Sequence, residues 1–257
     1  MTAAPGFTVH RLSRVDSTNT QASRLAEDGA PDGTLVVAEA QTGGRGRHGR
    51  AWQSPPGNFY GSLLLRPQVR LADAASLSLV IGLAAREAVE AVAGHGLGIT
   101  VKWPNDLVID GCKLAGILLE GSAAADGRCE WLVAGLGVNL VWHPGLLDYP
   151  STSLVEEGVE DVTVDQFLDA YLASLARHLP VWRRDGFAPF RDLWLAHAAG
   201  IGRQVTLRVG EAVHRGLLAD LDAAGSILIE TPAGCLLRFT AGELFFDSGA
   251  DGPSDAG

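Results

Sequence analysis

The chain has 257 residues, 47 % of them hydrophobic, enough to bury one large core and a second, smaller one. Its formal net charge of -10 at pH 7 excludes general polyanion binding and leaves room only for a local basic patch. The most apolar stretch, residues 77–92, carries Arg86, Glu87 and Glu90 at amphipathic helical spacing, and residues 1–9 lack a secretion signal, so no membrane span is read and the cytoplasm is expected.

Asp16, Ser17, Thr18 and Asn19 offer N-cap residues before a predicted helix over 20–27, which Gly29 terminates. Residues 34–40, rich in β-branched side chains, predict a strand that runs into Gly43-Gly44-Arg45-Gly46-Arg47-His48-Gly49-Arg50. Past Pro55-Pro56-Gly57 a second strand is predicted over 58–65, which makes the glycine-arginine segment a long loop between strands. After the helix at 77–92, runs at 99–103, 107–109, 114–120 and 130–136 are short enough for adjacent strands, with turns at Pro104-Asn105-Asp106 and Gly111. Helices are predicted over 164–182 and 188–197.

Beyond Ala199-Gly200 the texture changes to strand-sized runs at 204–209, 212–220, 226–231 and 234–239, which predicts a small closed β-barrel. The organisation is then an α+β domain over 1–198, a barrel domain over 199–248 and a disordered tail over 249–257. Cys112, Cys129 and Cys235 are scattered, with no C-x-x-C pair, and are read as reduced thiols rather than as a disulfide framework or a zinc site.

Gly44-x-Gly46-x-x-Gly49 follows a strand as a dinucleotide fingerprint does, but Pro55 and Pro56 stand where that unit requires a helix. There is no Walker A sequence either, so a nucleotide has to bind by another route. What remains is a loop whose glycines let backbone approach a ligand while Arg45, Arg47 and Arg50 offer planar, permanently charged donors to carboxylate or phosphate. An arginine-glycine segment of the RNA-binding kind is the competing reading; that class repeats its motif, and this chain has it once. Trp52 offers a flat face for a purine or is a plain core residue.

Of the 20 basic residues 18 are arginine, and the only lysines are Lys102 and Lys113. In a composition that writes arginine wherever a cation serves, a lysine marks a place where a compact ammonium on a flexible stem is required. Lys102 precedes Trp103-Pro104-Asn105-Asp106, and Lys113 precedes Leu114-Ala115-Gly116, so a hairpin would bring both ammonium groups to one opening. Two cations placed so stabilise charge at phosphorus during phosphoryl chemistry; the alternative is a pair of strand-end salt bridges. Gly135-x-Gly137-x-Asn139 ends a further strand, where Asn139 serves a ribose, a phosphate or a ring edge, or is a turn residue.

Taken together these segments resemble biotin-protein ligases: Asp16-Ser17-Thr18-Asn19, then Gln41 through Trp52, then Lys102 to Leu107 with Lys113 to Leu118, and Gly135 to Asn139. The similarity runs in order over almost the whole chain and departs from the commoner pattern at His48, usually arginine, and Ala51, usually lysine. The resemblance implies an α+β fold, with a mixed sheet flanked by helices in a class II synthetase-like catalytic domain, then a Src-homology-3-like barrel. It implies that Ser17, Thr18, Asn19 and Gln41 recognise the ureido end of biotin, with Arg45, Gly46 and Arg47 along the ligand and its activated carboxylate. Lys113 is implied at the carboxylate and α-phosphate, supported by Lys102, Arg50, Asn105 and Asn139, with Trp52 facing adenine.

Asp106 is implied either to assist Mg2+ or to orient the incoming lysine, and no residue is assigned as a metal ligand. The catalytic set implied is Lys113, Arg45, Arg47 and Lys102, using ATP, Mg2+ and biotin to form biotinyl-5'-adenylate. The acceptor implied is a lysine of the biotin carboxyl carrier domain of an acyl-CoA carboxylase. Only about fifteen residues precede the Ser-Thr-Asn segment, too few for a helix-turn-helix module, so a monofunctional ligase without operator binding is expected, as a monomer or weak homodimer. A lipoate or octanoate ligase is the nearest rival, and the glycine-arginine segment argues for biotin.

Overall fold

Strand β1 (Thr8–Val15), helix α1 (Thr18–Glu27) and strand β2 (Thr34–Gln41) open the chain as a β-α-β unit whose two strands are parallel. The chain then enters β3 (Phe59–Leu65), helices α2 (Leu71–Ala74) and α3 (Leu77–Ala93), and four strands, β4 (Thr100–Lys102), β5 (Asp106–Ile109), β6 (Cys112–Ala123) and β7 (Cys129–Val138). These build a seven-stranded sheet in the order β1-β2-β3-β7-β6-β5-β4, antiparallel everywhere except β1 with β2, so the expected mixed sheet is present. The computed structural model describes residues 6–94, 96–145 and 150–246; the tail expected at 249–257 lies outside them.

Side-chain alternation along the strands sorts the two faces of the sheet. Leu35, Val37, Leu63, Leu65, Leu132 and Ala134 point into the main core beneath α3 and α4 (Val164–Asp185). Val36, Leu64 and Val133 point the other way and pack against Ala22 and Ala26 of α1, which are small enough for the helix to lie close to the sheet. β3 is buried along its whole length because it is covered on both sides. α4 starts on a capping box in which Thr163 and Gln166 exchange hydrogen bonds.

The second sheet is antiparallel, with β8 (Gln204–Val209), β9 (Ala212–Leu221), β10 (Ile227–Glu230), β11 (Leu236–Phe239) and β12 (Glu243–Phe246) in the order β11-β10-β9-β8-β12. Among the described residues no ladder joins β11 to β12, so the barrel read as closed is a five-stranded sheet open at that seam. The helix expected over 188–197 is a 3-10 turn at Ala188–Phe190 followed by α5 (Arg191–Ala196), with Pro189 inside the turn, where its missing N–H costs little. The two sheets share one hydrophobic core: Val205, Leu207, Ile227, Ile229 and Leu244 belong to the same cluster as α3 and the large sheet.

Candidate active site

The α1 face of the large sheet is hollow where β6 and β7 pair. Gly116 opposes Gly137 and Leu118 opposes Gly135, so three glycines open the floor of one cleft. The side chains above it require those glycines. A Cβ at Gly135 would stand 2.0 Å from Asn19 Oδ1, and one at Gly137 would stand 2.6 Å from Trp52 Nε1. With its open mouth the cleft holds about 1050 Å3, room for a nucleotide as well as a small acid.

One end of the cleft is polar and buried. Ser17 is the N-cap of α1, yet its hydroxyl makes no capping bond and lines the cleft instead. Thr18 donates from its backbone N–H (2.8 Å) and its hydroxyl (3.1 Å) to Gln41 Oε1, while Gln41 Nε2 donates to Ser54 Oγ at 2.8 Å. Ser62, fully buried on β3, lies 2.6 Å from Asn19 Oδ1 and 2.8 Å from Thr18 Oγ1, and its one proton serves one of them at a time. Asn19 donates from Nδ2 to Glu120 Oε2 at 2.8 Å. Such an array presents fixed donors and acceptors to a small polar ring.

The other end is cationic. Lys113 Nζ lies 2.7 Å from Asp106 Oδ1 and 5.5 Å from the centre of the Trp52 ring, with only 12 % of its side chain exposed. Lys102 opens into the same cleft and packs its ammonium 5.2 Å from the Phe246 ring; burial pushes its pKa down, Lys113 adds to that, and Asp106 and Glu243 oppose it. Burial also pushes the Arg47 guanidinium down, against the support of Asp106 and Glu243. An anion entering here would meet cations that have already lost part of their hydration, which strengthens the attraction.

The glycine-arginine loop folds back on itself, with Gly46 N–H donating to Arg50 O at 2.7 Å and a 3-10 turn at Arg47–Gly49 in which His48 takes a positive φ of 56°. Its cations reach across the cleft. Arg45 pairs with Glu120 (3.2 Å) and Thr20 Oγ1 (3.0 Å); Arg47 donates to Asn105 Oδ1 (3.2 Å) and Gly242 O (3.1 Å); Arg50 pairs with Glu243 (2.7 Å). The arginines thus engage the cleft and the second sheet.

Every residue singled out from the sequence lines this cleft except one. Asn139 is 3 % exposed and donates from Nδ2 to Thr152 O at 3.0 Å, while its backbone N–H bonds Leu114 O, so it lies behind the cleft and ties the 150–154 segment to it. Trp52, expected to face a purine, lies on the glycine floor beside Lys113. Sequence reading missed Ser62, Glu120 and Glu243. Glu243 and its neighbours Leu244 and Phe245 come from the second sheet, and only the fold brings them to the cleft.

Residues 12–139 match the Biotin/lipoate A/B protein ligase family, and residues 200–247 match the Biotin protein ligase C terminal domain. The chain is 39 % identical over 240 residues to a biotin--(acetyl-CoA-carboxylase) ligase of Paracoccus denitrificans, covering 91 % of this chain and 99 % of that one. It is 35 % identical over 234 residues to the bifunctional ligase/repressor BirA of Bacillus subtilis, covering 88 % of this chain and 70 % of that protein. Among solved structures, the biotin protein ligase from Aquifex aeolicus in complex with biotin and ATP superposes with a TM-score of 0.80 at 31 % identity, over 93 % of this chain and 98 % of that one.

Proposed function

This chain belongs to the biotin protein ligases, and on that premise we propose that it makes biotinyl-5'-adenylate from biotin and ATP and passes the biotinyl group to a lysine of a biotin carboxyl carrier domain. The observation that carries the reading is one cleft with a buried polar array at one end and Lys102, Arg47 and the Asp106-paired Lys113 at the other. A biotin carboxylate oxygen attacks the α-phosphorus, and pyrophosphate leaves with the electron pair of the bond that breaks. The acceptor amine then attacks the acyl carbon, AMP leaves with its electron pair, and the amine gives up a proton.

Each group has a place in that sequence. Ser17, Thr18, Asn19 and Gln41 recognise the ureido ring. Lys113, fixed by Asp106, neutralises the carboxylate and the α-phosphate, with Lys102 and Arg47 taking the charge of the departing pyrophosphate. Asn105 holds Arg47 in that position, and Arg50 turns to the phosphates. Trp52, on the floor beside Lys113, offers its flat face to the adenine. Arg45 and Gly46 carry the loop that shields the mixed anhydride from water, the more abundant nucleophile.

Mg2+, when bound, would offset the charge of the triphosphate. Among the described residues no group of three or more His, Cys, Asp or Glu is placed to hold a metal; Asp106, a carboxylate of the cleft that would assist the ion or orient the incoming lysine, is paired with Lys113. The catalytic unit is assigned to residues 1–198 and the accessory unit to 199–248. No helix among the described residues is long and apolar enough to cross a membrane; the assignment is to the cytoplasm, and the net charge of -10 disfavours a DNA ligand.

Pyrophosphate exchange tests the reading. Biotin should stimulate exchange of labelled pyrophosphate into ATP by the purified protein, whereas stimulation by lipoate and none by biotin would overturn it.

A further inference from the structure

Glu120 sits at the rim of the polar end, on the same face of β6 as Gly116 and Leu118. Each of its carboxylate oxygens has its own partner. Oε2 accepts from Asn19 Nδ2 at 2.8 Å, and Oε1 pairs with Arg45 Nη2 at 3.2 Å. One side chain therefore joins the first turn of α1 to the glycine-arginine loop.

A carboxylate and a backbone carbonyl are both acceptors only. Asn19 faces one of each, Glu120 and the carbonyl of Leu118 at 3.4 Å, so its NH2 must point to them and its Oδ1 must point away. The charged partner is the closer and the stronger of the two. Away from them lie Ser62 and the hollow above Gly135, where a Cβ would collide with Asn19 Oδ1. The side chain of Asn19 is thus polarised: Nδ2 donates to the protein, and Oδ1 is an acceptor that faces Ser62 and the cleft.

We propose that Glu120 is a specificity-determining positioning residue, which fixes the orientation of the Asn19 amide so that the cleft accepts a ring N–H and refuses a ring lone pair at that point. The proposal rests on the assignment of Asn19 to the ureido end of biotin. Glutamine at 120 removes the charged, closer acceptor and leaves only the 3.4 Å contact to the Leu118 carbonyl against the reversed amide. The Arg45 guanidinium claims the single amide oxygen, the new NH2 turns to Asn19, and the Asn19 amide reverses to accept from it. Two N–H groups then meet where the ligand binds.

The test is E120Q, with E120D as the variant that keeps an acceptor-only side chain, and calorimetric titration of biotin and of a cyclic carbamate analogue carrying oxygen in place of one ureido N–H. Wild type should bind biotin and reject the analogue. E120Q should lose about ten- to hundredfold in biotin affinity, the scale of one lost polar contact, keep its ATP KM within about twofold, and narrow the biotin-to-carbamate ratio at least tenfold; E120D should retain the wild-type ratio even where its absolute affinity falls. An unchanged ratio in E120Q, or equal losses for biotin and ATP, would overturn the proposal. Failure of the wild type itself to bind biotin would instead strike at the assignment of function, which keeps the two failures separate.

Discussion

Lys113 is held by shape as well as by charge. Its stem runs over the hollow at Gly116, where a Cβ would come within 3.1 Å of Lys113 Cε, and its ammonium fits between Asp106 and the Trp52 ring. A planar guanidinium has no such point to occupy, so Lys113→Arg should leave the melting temperature within a few degrees yet slow biotin-dependent pyrophosphate exchange by about 100- to 1000-fold, the cost of one misplaced transition-state donor. Near-normal exchange in the variant would mean that any cation suffices there. The scarcity of lysine singles this residue out in the amino-acid sequence, and the fold places it in the cleft. Asn139 illustrates the opposite case: its residue type draws notice, but its hydrogen bond to the returning 150–154 segment is a tertiary fact with no local trace. Ser62 and Glu120 are hidden for the same reason, since only strand register sets them beside Asn19.

Between elements, the joint of α3 with α4 is tied by Glu87, which accepts from Ser174, from Arg177 (2.7 Å) and from His178 (2.9 Å). Burial raises the carboxyl, but these donors and the charge of His178 outweigh it and bring the pKa down to about 2. The group is depressed on folding, so its contribution is complete above the usual carboxylate pKa and disappears as pH falls through about 2. The gap corresponds to ~3 kcal/mol as an upper bound. Glu87→Gln should lower the urea midpoint at pH 7, and the difference from wild type should shrink by about half or more at pH 3. A difference independent of pH would assign the effect to packing alone. The helices at this joint are readable because their apolar spacing is sustained over 17 and 22 residues. β1 escapes because an edge strand written Thr-Val-His-Arg-Leu-Ser-Arg-Val carries too few apolar residues, and β12 because four residues are too short for a period to emerge.

For the molecule as a whole, the second sheet is fastened to the first at points that a tethered accessory domain would not need. Trp103, 2 % exposed, donates from Nε1 to Gly225 O at 3.1 Å, and Arg191 on α5 reaches Leu221 O (2.6 Å) and Asp220 (2.5 Å) on β9. The same sheet supplies Glu243 to Arg50 and the carbonyl of Gly242 to Arg47, so the loop over the cleft is anchored on both units. With one hydrophobic cluster running through both, unfolding of either exposes the core of the other. Calorimetry should therefore record a single transition that biotin and ATP together move upward. Gly225→Val gives the sharper test, because φ there is +85° and a Cβ would stand 2.6 Å from Leu79 Cδ1 on α3. If the units are coupled as described, the variant should lower the one transition as a whole by several degrees and weaken ATP binding at a site that Gly225 does not line; two resolved transitions, with only the smaller displaced, would make the second sheet an independent appendage.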